Sequence, residues 1–393
     1  MNEIRFKTGR YAYWKLVVAD ENVELSAGKP ELIPIRDINL PPKTMVAPLS
    51  IMRHALGSLI DVKMEKKRKI EEEKRLKKAV FLPIESGLVE KGDVIGVVKV
   101  YPTTIGDEEV EVKVELRKQV ANIVYREKEI KRNFTEVSDG WYRRWHLAEW
   151  YPLVADEDVE VKRGVVRRIK IKSVEIPEST IPVPLSISRN AIGTVVDVIS
   201  PEKPKKVEER RFISEAIFVP VHNGLVERGD LIGVMNVFYV SVGNFSSSIV
   251  RYLVKIPEAN IVSIRNGVIR RKSVKLTPLT FKRSESGYIL PIKAAEDKTF
   301  EERSFGLLKI DKIEISPNVI LQPISGITEN VCLIDLYSET PKLVEESKSI
   351  DKAIICSLRK TEIKRGETIG AVAFYNVSIL VEPELFIAKY TKI

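Results

Sequence analysis

Glutamine occurs in this chain of 393 residues only at Gln119 and Gln322, and there are just three histidines and two cysteines. Cys332 and Cys356 both sit in apolar stretches and read as buried free thiols rather than as a disulfide framework. His54, His146 and His222 fall in no H-E-x-x-H spacing, and C-x-x-C is absent, so no zinc site is expected. No apolar run approaches the roughly 20 residues that cross a bilayer, and the first ten residues lack a signal-peptide core. A cytoplasmic protein without membrane contact is the expectation. Charged residues make up 30% of the chain, and with so few thermolabile side chains this is a thermophile-like bias. The net charge of +9 permits an acidic partner, although solubility alone accounts for an excess spread over so large a surface.

The chain is repetitive. Lys91-Gly92-Asp93-Val94-Ile95-Gly96-Val97 returns as Arg228-Gly229-Asp230-Leu231-Ile232-Gly233-Val234 and again as Arg365-Gly366-Glu367-Thr368-Ile369-Gly370-Ala371. The step is 137 residues each time (229 − 92 and 366 − 229). Upstream, Pro48, Pro184 and Pro323 each open an apolar run that ends in Asp61, Asp197 and Asp335. Downstream, Ala121-Asn122-Ile123 matches Ala259-Asn260-Ile261. Landmarks kept in order at a fixed period mean three copies of one domain, here residues 1–136, 137–275 and 276–393, the last divergent.

Each copy reads as mainly β. Arg168-Ile169-Lys170-Ile171-Lys172 alternates charged and apolar residues, which puts one face in a core and the other in water. Ala79-Val80-Phe81-Leu82-Pro83-Ile84 and Ala216-Ile217-Phe218-Val219-Pro220-Val221 are apolar throughout, as suits strands covered on both faces. The fold class expected is three tandem homologous β-barrel or β-sandwich domains. Charged connectors at residues 63–78, 200–211 and 338–352 interrupt the pattern. The first has the composition for a short exposed helix, and Pro201 and Pro204 oppose one in the second. A solvated loop is the plainer reading, and a basic contact surface the alternative. Trp141, Tyr142, Arg143, Arg144, Trp145, His146, Trp150 and Tyr151 cluster at the first junction. Packing between domains is favoured there over base stacking.

The glycine motif matches neither the G-x-G-x-x-G nor the G-x-x-x-x-G-K-[ST] phosphate loop, and strand-like sequence follows it. It reads as a tight turn, with Gly92 at positive φ, Asp93 bonded to local backbone, and Gly96 admitting a neighbouring strand. The repeated aspartates read as turn caps, and no Ser-His-Asp order has supporting context. Arg53 and Arg189 each precede the repeated Asp by eight residues, where copy three has Ile327. If a ligand is bound, Arg53, Asp61, Arg189 and Asp197 are the candidates, because arginine grips carboxylate or phosphate with two parallel hydrogen bonds.

The run from Ala216 through Gly224-Leu225-Val226-Glu227-Arg228-Gly229-Asp230 to Val234, with its copy in residues 79–97, resembles an archaeal family. That family is catalogued as a domain of unknown function, number twenty-two, and occurs in repeated copies. The resemblance covers most of copies one and two and is weaker in copy three. It implies an archaeal source and brings no activity, cofactor or site residues. The G-D-x-I turn is also similar to that of barrel-like β-clip domains, an analogy of form alone.

The leading expectation is a non-catalytic ligand-binding or assembly protein, with an anionic small molecule or a protein partner held where copies meet. One alternative is an enzyme acting on a phosphorylated or nucleotide-like small molecule in an inter-repeat cleft. The other is a nucleic-acid-binding protein, whose basic connector at residues 66–78 would share a face with the tryptophan cluster. The sequence names neither a catalytic residue nor an oligomeric state.

Overall fold

Two-residue alternation of branched and charged side chains runs the length of the chain, and among the described residues the regular elements are strands, with no helix. The computed structural model describes residues 3–51, 53–66, 68–105, 112, 114–185, 187, 189–201, 203–242, 258–276 and 279–380. In repeat one, Lys74–Pro83 pairs with Glu31–Leu40 on one side and Gly57–Met64 on the other. Val23–Leu25 pairs with Gly87–Val89 beside them. Arg211–Pro220 and Lys348–Ser357 are the middle strands of the same small sheet in repeats two and three.

The small sheets stay open instead of closing into barrels. Each lies over strands of a larger sheet shared by the whole molecule, a sandwich-like layering. In repeat one Phe81, Ala79 and Ile33 meet Val17, Val98 and Val100 in one core. The continuous apolar runs owe their composition to a second contact. Alternate residues Val80, Leu82, Ile217 and Val219 turn the other way and pack with Cys356 and Leu358 in a core between repeats. The helix considered for the first connector is not formed. Strand Gly57–Met64 ends and Lys74–Pro83 begins close by, and a turn held by the Lys69 amide donating to Glu72 at 2.7 Å fills the gap.

The shared sheet closes the repeats on one another. Each repeat opens with a long strand: Ile4–Thr8 running on into Tyr11–Val18, then Gly140–Val154, then Leu279–Lys293. Gly140 pairs opposite Trp14, Leu279 opposite Trp150, and Ile4 opposite Ile289. Repeat two therefore pairs with one, three with two, and one with three, around an approximate threefold axis. Their inner faces build a common core that includes Phe6, Tyr142 and Phe281. Part of the tryptophan cluster is spent on this packing: Trp150 stacks on Phe281 at 4.5 Å and Tyr142 on Trp14 at 5.7 Å, while Trp141 stays exposed, edge-on to Tyr11. A ring as fully buried as Phe281 contributes roughly 2–3 kcal/mol by area alone.

The glycine motif is a turn, as its spacing implies. Gly92 has φ +94, a conformation that glycine adopts without a steric penalty. The Glu90 amide donates to Asp93 at 2.9 Å. Asp93 is fully buried and also accepts from Asn122 at 3.1 Å and from Arg132 at 3.2 Å. Both donors lie on the hairpin of Lys118–Arg126 and Ile130–Ser138. Asp230 is held the same way, by Arg271 at 3.0 Å from the hairpin of Glu258–Arg265 and Val268–Lys275. That contact explains the repeated Ala-Asn-Ile downstream.

Candidate functional site

The repeated aspartates lie inside strands Gly57–Met64, Gly193–Ile199 and Val331–Tyr337 rather than ending them, and they bond across repeats. Ser58 of repeat one donates its hydroxyl to Asp197 of repeat two, and Thr194 of repeat two donates to Asp335 of repeat three. The third position of this series, three residues before the aspartate, is Cys332. Asp61 takes Lys63 at 2.8 Å instead, together with the Gly326 amide of repeat three at 3.3 Å. Lys63 also donates to the carbonyls of Thr328 and Val331, at 2.9 and 2.8 Å. Burial works to lower the Lys63 pKa, but the Asp61 charge overrides it and the ammonium is held charged.

The arginines follow the same rule. Arg53 is electrostatically coupled to Asp197 of the next repeat rather than to Asp61, and Arg189 to Asp335. Where Ile327 leaves repeat three without that arginine, Lys63 supplies the cation to Asp61 from the same strand. The four residues singled out in the sequence thus divide: Arg53 and Asp197 come together, Asp61 is neutralised locally, and Arg189 donates to the Lys342 carbonyl. Burial raises the Asp197 pKa, with the Ser50 and Ser58 hydroxyls and Arg53 opposing it. For Asp335, burial outweighs the Thr194 bond and the Arg189 charge, and the pKa is pushed up to about 8.

Two cavities flank this ring. One, of about 110 Å³, lies on the axis between Pro48, Pro184 and Pro323, with the three aspartates at its edge. Its walls are mostly apolar, and among the described residues no group of acidic, histidine or cysteine side chains is arranged to hold a metal ion. The other is a cleft of about 310 Å³ between repeats one and two. Its cations are Arg53, Arg126, Arg168, Lys203, Lys205 and Arg211, against the carboxylates of Glu127 and Glu215. Repeat one contributes Arg53 and the hairpin bearing Arg126, and repeat two contributes its connector with Lys203 and Lys205.

Arg53 is the cation of this cleft with the least support. It donates to the His54 carbonyl at 3.3 Å, and no carboxylate forms an ion pair with it among the described residues. Burial lowers its pKa while Asp197 pulls it back. The neighbouring cations are engaged: Arg126 with Glu85, Arg168 with Glu85 and Glu215, and Lys203 with Glu127 at 2.9 Å. The equivalent place between repeats two and three is filled. There the Ile264 amide bonds the Glu339 carbonyl at 2.8 Å, drawing the third connector in, and the Lys342 carbonyl covers Arg189.

Reading the sequence missed Lys203 and Lys205 as cleft residues, because the basic-surface reading rested on connector one. Prolines were the available signal: Pro201 and Pro204 disfavour a helix there, and Lys203 lies 5.2 Å over the Tyr125 ring near the hairpin tip.

A family model described as "Domain of unknown function DUF22" matches residues 1–87, 120–224 and 258–361, one segment in each repeat. An uncharacterized protein of Methanocaldococcus jannaschii is 34% identical over 84 residues. That alignment covers 21% of this chain and spans 64% of the relative's length. No solved structure matches the chain significantly.

Proposed function

The chain belongs to this DUF22 family, and on that premise we propose that it is a non-catalytic binding protein whose cleft between repeats one and two takes a small molecule bearing phosphate. The observation that carries the reading is Arg53, a guanidinium at a cleft wall with one weak backbone bond and no ion-paired carboxylate. An anion placed there would satisfy it with charge-assisted bonds and would find Lys203 and Lys205 opposite. A binding role is further supported by the cleft's own carboxylates. Lys131 and Lys203 hold the Glu127 pKa down to about 2, and Glu215 is ion-paired with Arg168. A carboxylate held as firmly ionised as Glu127 acts as a charge partner rather than as a proton shuttle near neutral pH.

The test is calorimetric titration with inorganic phosphate, pyrophosphate and a nucleoside triphosphate, with acetate as control. The expected outcome is saturable binding of a phosphate compound that weakens with salt and falls at least tenfold in Lys203→Glu/Lys205→Glu. Both lysines are on the connector, so the fold is preserved. Indifference to every phosphate compound, or equal binding by that variant, would refute the assignment.

A further inference from the structure

A second cluster of cations lies at the inner faces of the repeats, beside a chamber that shares Leu49 and Val183 with the cavity edged by the aspartates, and it has no role in the cleft. Thr8, Arg144 and Arg283 occupy one register position in the three repeats, opposite Thr103, Val240 and Val377. Tyr101, Phe238 and Tyr375, each five residues past the second glycine of the motif, form the corresponding set of rings. Lys99 rises between them from repeat one. Its equivalents, three residues past Gly233 and Gly370, are Asn236 and Ala373.

The three cations are packed against aromatics instead of carboxylates. Lys99 is 7% exposed and donates to Gln322 at 2.8 Å, with its ammonium 5.1 Å over Tyr101. Arg283 is 5% exposed and sits between the rings of Tyr375 and Phe238, at 4.7 and 5.1 Å. Its Nε has no hydrogen-bond partner, and the buried hydroxyls of Tyr101 and Tyr375 face only each other. Arg144 lies 5.6 Å from Tyr101. Among the described residues no carboxylate forms an ion pair with any of the three. Glu149 is hydrogen-bonded to the hydroxyls of Tyr151 and Tyr239, and Glu285 pairs with His146. Burial, with the Arg144 charge, pushes the Lys99 pKa down to about 7.

Lys99, Arg144 and Arg283 line a chamber of about 20 Å³ with Tyr142 and Phe238, room for one water-sized occupant. Arg144 is partly buried and reaches the Gly9 carbonyl at 3.5 Å. Lys99 and Arg283 are buried positive charge without a counter-charge, which is strongly unfavourable. Ring faces and one amide oxygen offset only part of it. We propose that this chamber binds a single monatomic anion, chloride in ordinary salt solutions, held by Lys99, Arg144 and Arg283. The size excludes phosphate and carboxylates, which separates this site from the cleft.

The decisive experiment is bromide substitution in crystals of the full chain. An anomalous peak within bonding distance of Lys99 Nζ and the Arg283 guanidinium is expected. An ordered water there with no anomalous signal would overturn the proposal. In solution, the melting temperature at constant ionic strength should rise saturably as gluconate is exchanged for chloride. That rise should vanish in Lys99→Met and persist in Lys203→Glu/Lys205→Glu. A flat response in the native chain would likewise overturn the site, whatever the cleft is found to bind. If Lys99→Met does not fold, the bromide map of the native protein decides alone.

Discussion

Replacing Asp335 by asparagine should stabilise this protein at neutral pH and do nothing in acid. A carboxyl in the unfolded chain ionises near pH ~3.9, whereas Asp335 in its fully buried position is held up to about 8. Between those values the native chain keeps a proton that the unfolded chain gives up. Stability from this residue is therefore fully present below the unfolded value and is lost as pH rises toward the folded one. Each unit in that window is worth about 1.4 kcal/mol, so the loss from pH 4 to pH 7 is at most about 4 kcal/mol. Asparagine keeps the shape and never ionises. With unfolding entropy near 2.1 cal/mol/K per residue, a chain this long gains about 1 °C per kcal/mol. Asp335→Asn should then melt up to ~5 °C higher than the parent at pH 7 and equally at pH 4. Scanning calorimetry of both proteins, each at the two pH values, measures the difference, and other titrating groups cancel in the comparison. A variant that is destabilised at pH 7, or shifted equally at both pH values, would refute the reasoning. It would mean that Asp335 is ionised and paired with Arg189.

Three further outcomes are expected. Lys63→Met leaves Asp61 buried beside an uncharged chain and should cost about 3 kcal/mol in urea unfolding. Adding Ile327→Arg, the residue type that repeats one and two carry at that position, should recover part of the loss, and no recovery would contradict the cross-repeat rule. His54→Asn should be nearly neutral at pH 7, because Asn190 already performs the same turn bond: the Ile192 amide donates to it at 2.9 Å, as Leu56 does to His54 at 3.1 Å. Burial lowers the His54 pKa despite the Asp93 bond, so its contribution is lost as pH falls below its ordinary value near ~6.5. The variant should flatten that acid limb of the stability curve. Gly96→Ala would place a Cβ 2.7 Å from the Cβ of Leu59, and should lower stability by roughly 1–3 kcal/mol through overpacking, readable as an earlier urea midpoint.

What was legible in the sequence was whatever repeats within one copy. The glycine turn, the doubly covered strands at Ala79 and Ala216, and the choice of Arg53, Asp61, Arg189 and Asp197 as candidates all came from comparing equivalent positions. What was not legible is the pairing between copies. Ser58 and Asp197 are 139 residues apart, and nothing local in either segment names the other. The same holds for the ring itself, in which Ile4 meets Ile289. Lys63 was hidden at the edge of a charged connector, although a lone lysine beside Asp61 and a missing arginine at Ile327 are complementary signals. Lys99 stood inside the apolar run Val97-Val98-Lys99-Val100, where a charge is unexpected, and its counterparts Asn236 and Ala373 offered no pattern to match. The conformation of the first connector was decided by its short span between two strand ends, which composition does not reveal.

The ring is held together cyclically but written on one chain, and that combination has an evolutionary consequence. Identical subunits obeying threefold symmetry must present the same side chains at all three contacts. A mutation that opens a cleft at one contact opens it at every contact, and a harmful change is suffered three times. Fused repeats escape that constraint. Here one contact has kept Arg53 beside an open cleft, another has closed over Arg189, and the third has exchanged arginine for Ile327 and Lys63. The M. jannaschii relative, of which 84 matched residues are 64%, is roughly one repeat long. Duplication would have freed such a unit to let one interface specialise while the other two only hold the ring shut.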